Sequence, residues 1–180
     1  RLTVETQTAY LLALAFALLP EDARPLAAEH LVENIESLGW HLSTGFIGIS
    51  HLNPTLTAIG RPDVAWRLLL NEDYPSWLYP VRHGATTIWE RWDGQKPDST
   101  FQNEGMNSFN HYAYGAIGDW LYRRVAGIDI DPDNPGYKHL YIHPEPGGSL
   151  TEAHAYHDSP YGRIASLHPC AEQKLTLSSL

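Results

Sequence analysis

The sequence predicts a mainly α protein with a small β part: helical hairpins first, short antiparallel strands after. Three observations carry this. Between residues 4 and 69, apolar or amphipathic segments alternate with single Pro or Gly residues, and the connections are short enough to stack helices as antiparallel neighbours. A stripe of aromatic and apolar residues at helical spacing returns over 108–126. Beyond Asp129 the apolar period shortens to alternation, with Gly and Pro at the turns.

Val4 to Leu19 is rich in Ala and Leu, both good helix formers, and Pro20 is expected to stop it. Its run Ala9 to Leu19 lacks an export cleavage pattern, so it reads as a buried helix and not as a signal peptide. Pro25 suits a first helical turn; Leu31, Ile35 and Leu38 share one face, Glu29, Glu33 and Glu36 another, and Gly39 supplies the cap. Pro54 to Ile59 reads as a short helix ended by Gly60, and Pro62 restarts the chain with Val64, Ala65, Leu68 and Leu69 at helical spacing.

From Asn71 to Gly105 the order is lost, apart from one turn expected around Ser76 to Tyr79; long irregular segments in compact domains are usually functional. Ser108 to Ala126 is predicted as one helix, with Phe109, Tyr112, Ala113, Ala116, Ile117, Trp120 and Leu121 on its apolar stripe, Arg123 and Arg124 in the last turn, and Gly127 ending it. Asp129 to Pro135 reads as a linker. Strands are expected at Tyr137 to His143, Thr151 to Tyr156 and Arg163 to Leu167, the last two around a Ser159-Pro160-Tyr161-Gly162 turn. The helical part is thus expected at 1–128 and the β part at 129–180.

With 180 residues there is room for one domain, or one and part of another. An apolar content of 43% and a charged content of 18% fit a globular protein. Twelve Lys and Arg against 21 Asp and Glu give a formal charge of -9, a field that opposes phosphate backbones and anionic lipid and argues against nucleic-acid or membrane-surface roles. No apolar run is long enough to span a bilayer. The single cysteine, Cys170, excludes an intrachain disulfide and leaves the redox compartment, and so the localisation, open.

The most informative stretches are Ala85-Thr86-Thr87-Ile88-Trp89-Glu90-Arg91-Trp92-Asp93 and Asn107-Ser108-Phe109-Asn110-His111-Tyr112-Ala113-Tyr114-Gly115. Two indoles and a carboxylate within four positions suit a sugar site, where flat apolar faces meet the C–H surface of a ring and carboxylates serve hydroxyls and proton transfer. Glu90 is the candidate catalytic group. Between Trp89 and Trp92 it would be partly desolvated, the setting in which a carboxylate makes a better base. A surface glutamate paired with Arg91 is the competing reading. His111, expected in the first turn of its helix, would stay neutral beside the positive helix end and could hydrogen-bond a sugar hydroxyl; packing against Phe109 or Tyr112 is the alternative. Trp77, Tyr79, Trp89 and Trp92 are candidate stacking platforms, with core packing favoured for at least two of them. Asp93 has three open roles: orienting Arg91, capping a turn before Gly94, or touching a sugar.

No cofactor or metal is expected. There is no zinc motif, no calcium loop and no Gly-rich phosphate cradle, and His139 and His143 are expected on one strand face without a partnering carboxylate.

These two stretches, with Gln7-Thr8-Ala9-Tyr10, Ser43-Thr44-Gly45-Phe46, Leu70-Asn71-Glu72-Asp73-Tyr74-Pro75-Ser76-Trp77 and Ser159-Pro160-Tyr161-Gly162, resemble in order the bacterial α-L-rhamnosidases, a family of inverting glycoside hydrolases. The resemblance runs from about Thr6 to Ser166. It implies the C-terminal part of an (α/α)6 six-hairpin barrel followed by an incomplete antiparallel β-sandwich. It also implies a rhamnose-containing glycoside or polysaccharide as substrate, Glu90 as the base that activates water, and His111 as a rhamnose contact, with Trp89, Trp92 and Trp77 as further substrate-binding candidates.

The family's general acid belongs to an acidic segment with no counterpart between Arg1 and Leu180, and the chain opens without Met. A fragment, inactive by itself, is therefore expected, with homo-oligomerisation of a longer parent left open. After Ser166 the sequence departs from the family pattern, through Leu167-His168-Pro169-Cys170 to Lys174-Leu175-Thr176-Leu177, and so short a sandwich would leave unpaired strand edges. Two other readings stay open: a non-catalytic carbohydrate-binding helical module, and another six-hairpin glycosidase or a phosphorylase.

Overall fold

A computed structural model describes residues 3–105 and 107–169 and divides the chain into two compact units, Arg1–Ile117 and Gly118–Leu180. The expected class holds: helices first, then two small two-stranded antiparallel sheets.

The first unit contains α1 (Gln7–Ala15), α2 (Arg24–Ser37), α3 (Phe46–Ala58), α4 (Pro62–Leu69) and α5 (Leu78–Arg82). Helix α1 packs on both α2 and α3, and α3 on α4, around Leu11, Leu31, Ile35, Leu52, Leu56 and Leu68. Gly39 and Gly60 close α2 and α3 as expected. Each takes a left-handed φ (67° and 78°), which lets the next amide reach back across the last turn, Trp40 to Ile35 at 2.9 Å and Arg61 to Leu56 at 2.8 Å.

Several boundaries differ from expectation. Helix α1 begins three residues late because Thr6 caps it, its hydroxyl accepting from the Ala9 amide at 3.2 Å. It ends before Pro20 is reached: Ala17 adopts a left-handed φ of 52° and the Leu18 amide bonds Ala13 at 2.9 Å, leaving Phe16 and Leu18 exposed rather than buried. Leu38 caps α2 and is also exposed. Helix α3 starts at Phe46, and Pro54, taken as a helix start, lies inside it. Burial of Ile49, Leu52 and Leu56 outweighs the amide that proline lacks. Residues 71–105 are irregular as expected, except for α5 and an isolated bridge between Gln95 and Phe101.

The stripe at 108–126 is not one helix. Residues 108–112 are non-helical; a 3-10 turn (Ala113–Ala116), one α turn, α6 (Ile117–Trp120), and a π segment (Leu121–Val125) follow. The cause is bonding to a distant segment of the same chain. The His111 amide donates to the Ile88 carbonyl and the Glu90 amide to the Ser108 carbonyl, each at 2.8 Å, so this backbone is committed before a helix can form.

In the second unit, β1 (Ile128–Ile130) pairs with β2 (Leu140–Ile142), and β3 (Glu152–Ser159) with β4 (Gly162–Pro169). Strand β1 thus starts one residue before the expected linker and runs into it. The expected Ser159–Gly162 turn is present, with the Ser159 hydroxyl accepting from the Tyr161 amide at 3.1 Å and donating to the Gly162 carbonyl at 2.8 Å. Ala126, Ile128 and Ala155 form its core, flanked by Tyr137, Ile142 and Ile164. His139, expected without a carboxylate, lies just before β2 and holds Asp131 at 2.8 Å. Cys170 and Lys174 to Leu177 lie outside the described residues.

Candidate active site

The candidate residues are positioned from three directions in the first unit. Gln7, fully buried on α1, donates to the His41 carbonyl at 3.0 Å and accepts from the Ser43 amide at 2.7 Å, fixing the loop that delivers Gly45 and Phe46. Trp92 reaches the same loop, its indole N–H 3.5 Å from the Thr44 carbonyl. Segments 87–90 and 108–111 run side by side through the two backbone bonds above and a third from the Thr87 hydroxyl to the Phe109 carbonyl.

Glu90 is half-buried. Its Oε2 accepts from the Ser108 amide at 2.8 Å, so its partner is the neighbouring backbone and not Arg91. Arg91 turns to Asp93, with Nε and Oδ1 3.2 Å apart, so Asp93 orients Arg91 while also lining the cleft. Glu90, Arg91, Trp92 and Asp93 line one cleft of about 400 Å³ with Gly45, Phe46, Tyr74, Asn103 and Tyr114.

Of the candidate aromatics, only Trp92 reaches this cleft. It stacks on Tyr114, ring centroids 3.7 Å apart and planes within 9°, and takes the edge of Trp77 at 5.5 Å. Trp77 and Trp89 lie behind it, around a gap of about 40 Å³. The Trp77 indole N–H donates to the Tyr114 carbonyl at 2.8 Å, and Trp89 meets Phe109 edge-on at 5.0 Å. Tyr79 is buried and donates to the Gln95 carbonyl at 3.2 Å.

His111 precedes its helix, so the helix-end argument does not apply to it. Its ring stacks on Phe46 at 4.7 Å and on Tyr112 at 5.2 Å. Nδ1 accepts from the Ala113 amide at 3.3 Å, which leaves the proton on Nε2 as a donor. His111 does not line the cleft itself; its neighbour Phe46 does.

Tyr114, Tyr74 and Phe46 were not singled out by residue type, because a tyrosine or phenylalanine is more often core. Burial pushes the Tyr114 hydroxyl above its ordinary range, Arg91 opposes, and Tyr74, Asp93 and Glu90 add to the rise. Burial, then Asp93, raises Tyr74 as well. Among the described residues, no three His, Cys, Asp or Glu side chains converge as a metal would need.

Comparison with known families matches residues 1–125 to the bacterial alpha-L-rhamnosidase 6 hairpin glycosidase domain and residues 127–179 to the bacterial alpha-L-rhamnosidase C-terminal domain. The chain belongs to the bacterial α-L-rhamnosidase family. It is 49% identical over 162 residues to the α-L-rhamnosidase of Streptomyces avermitilis and 49% identical over 161 residues to one from Formosa agariphila. These matches take in 90% and 89% of the chain but 16% and 17% of the relatives, so the chain spans about one-sixth of their length. The crystal structure of the S. avermitilis enzyme complexed with L-rhamnose superposes with a TM-score of 0.86 over 91% of the chain and 16% of that structure. The native Aspergillus terreus enzyme superposes at 0.87, with 37% identity, over 92% of the chain and 19% of that structure. The segments that resemble the rhamnosidases in sequence supply all of the cleft except Asn103.

Proposed function

We propose that the chain supplies the water-activating half of an inverting α-L-rhamnosidase, with Glu90 as general base against terminal α-L-rhamnosyl groups. The observation that carries this is the Glu90 carboxylate on the cleft wall, one oxygen anchored by the Ser108 amide and the other without a partner among the described residues. Anchoring fixes the carboxylate; the second oxygen takes a proton from water as that water attacks the anomeric carbon. Phe46 offers exposed apolar surface to the ring, His111, stacked on Phe46, is assigned a hydroxyl at the margin of the cleft through Nε2, and Trp92, Trp77 and Trp89 hold the wall.

The proton for the leaving oxygen comes from a carboxylic acid across the scissile bond, roughly 6.5–9.5 Å from the base in inverting enzymes. Asp93, the other carboxylate in the cleft, accepts from Arg91 and is not set as a donor. We therefore assign the acid to a segment beyond this chain, which spans one-sixth of its relatives.

The test places this chain in the S. avermitilis enzyme in exchange for the segment it matches. Turnover of an aryl α-L-rhamnoside with inversion at the anomeric carbon is expected, and Glu90→Gln should lower kcat by at least about 100-fold while L-rhamnose still binds. Undiminished kcat in that variant would refute the assignment, and retention of configuration would refute the mechanism.

A further inference from the structure

We infer that Tyr114 and Arg91 form a hydroxyl-reading pair on the wall of the Glu90 cleft, together recognising adjacent hydroxyls of a neutral sugar ring. This rests on the reading of Glu90 as the base.

Tyr114 is held on several sides. Its ring lies flat on Trp92, tilts against Phe46 at 5.4 Å, and its carbonyl is tied to the Trp77 indole. The residue is only 8% exposed, yet its hydroxyl has no partner among the described residues and is not sealed from solvent. Holding a phenol this firmly with its polar end unpaired and open is what recognition of a ligand hydroxyl requires. Burial keeps it protonated, so it can both donate and accept.

Arg91 complements it. Asp93 engages only Nε, leaving both terminal nitrogens of a side chain that is 41% exposed without a described partner. Two parallel donors beside a phenol suit adjacent ring hydroxyls. The charges around them sum to one negative (Glu90 and Asp93 against Arg91), which disfavours an anionic ring such as a uronate, while the exposed Phe46 ring supplies apolar surface for C–H groups.

The test again uses the chain carried in the S. avermitilis enzyme. Tyr114→Phe removes one oxygen and keeps the stack; Arg91→Lys keeps the charge and removes the fork. Inhibition constants are measured for L-rhamnose and for analogues each lacking one ring hydroxyl, with melting temperature as a check on folding. Tyr114→Phe should weaken L-rhamnose about tenfold. It should also become indifferent to the loss of one particular hydroxyl that the unaltered protein discriminates, with Arg91→Lys doing the same at an adjacent position. A uniform loss across all the sugars, or a native rank order in both variants, overturns the pair. Glu90→Gln separates the two claims: it should abolish turnover while preserving that rank order, and if it turns over normally the base assignment fails while the sugar panel still judges Tyr114 and Arg91.

Discussion

Glu90 and Ser108 bond each other twice: the Ser108 amide donates to Oε2 of Glu90 at 2.8 Å, and the Glu90 amide donates to the Ser108 carbonyl at 2.8 Å. One residue pair thus aligns two chain segments and orients a carboxylate. Because the donor is backbone, Ser108→Ala should leave activity within about threefold, whereas Ser108→Pro, which removes the amide, should cost roughly 10- to 100-fold in kcat. Steady-state kinetics in the full-length exchange, with melting temperature as control, decides this. Equal losses in both variants would mean the hydroxyl, not the amide, matters.

Behind the cleft, Trp77 should matter for stability more than for chemistry. Trp77→Phe leaves the Tyr114 carbonyl without its indole donor and loses the edge contact to Trp92. A buried acceptor left unpaired costs about 1–3 kcal/mol, read as a lowered denaturant midpoint. A midpoint unchanged within error would show that another donor satisfies the carbonyl.

The limits of reading sequence alone follow from these same residues. Gly39, Gly60 and the Ser159–Gly162 turn were legible because each acts through its own backbone. Helix α3 was misplaced because Pro54 reads locally as a helix start, whereas tertiary burial of Ile49, Leu52 and Leu56 carries the helix through it from Phe46. The segment 108–112 has helical spacing, but its amides and carbonyls bond residues some twenty positions earlier, and no local pattern encodes that. Likewise Trp89 and Trp92 look equivalent in the chain. Only packing separates Trp92, which faces the cleft with Tyr114, from Trp89, which lies behind it against Phe109.

The Asp131 cluster predicts acid sensitivity in the second unit. Hydrogen bonds from Asn134 and His139, then from the Asp133 amide, hold the Asp131 carboxyl below its usual range. A carboxylate depressed in the folded state contributes stability at pH above its unfolded value and loses it as pH falls through the folded one. Stability should therefore decline below about pH 4, and Asp131→Asn, already lower at neutral pH, should decline less steeply there. Denaturant titrations between neutral and acid pH check the slopes; parallel curves would exclude Asp131 as a contributor.

Gly127 offers the sharpest contrast between backbone strain and steric contact. Its φ is +74°, its carbonyl accepts from the His143 amide at 2.9 Å, and an added Cβ would sit 2.2 Å from the Pro144 nitrogen and 2.4 Å from the His143 carbonyl carbon. Neither obstacle is a flexible side chain, so the backbone entering the 143–144 segment would have to move. Gly136 has a similar φ of +82° but open space where its Cβ would go. Gly136→Ala should then cost only the left-handed penalty, about 1–2 kcal/mol. Gly127→Ala should add overpacking of about 1–3 kcal/mol and disturb the pairing of Ile128 with Ile142. Amide exchange at Ile128 and Ile142 measures both effects, accelerating in Gly127→Ala well beyond Gly136→Ala. If the two variants exchanged alike, the close approach of Pro144 would carry no weight and strain alone would explain the glycine.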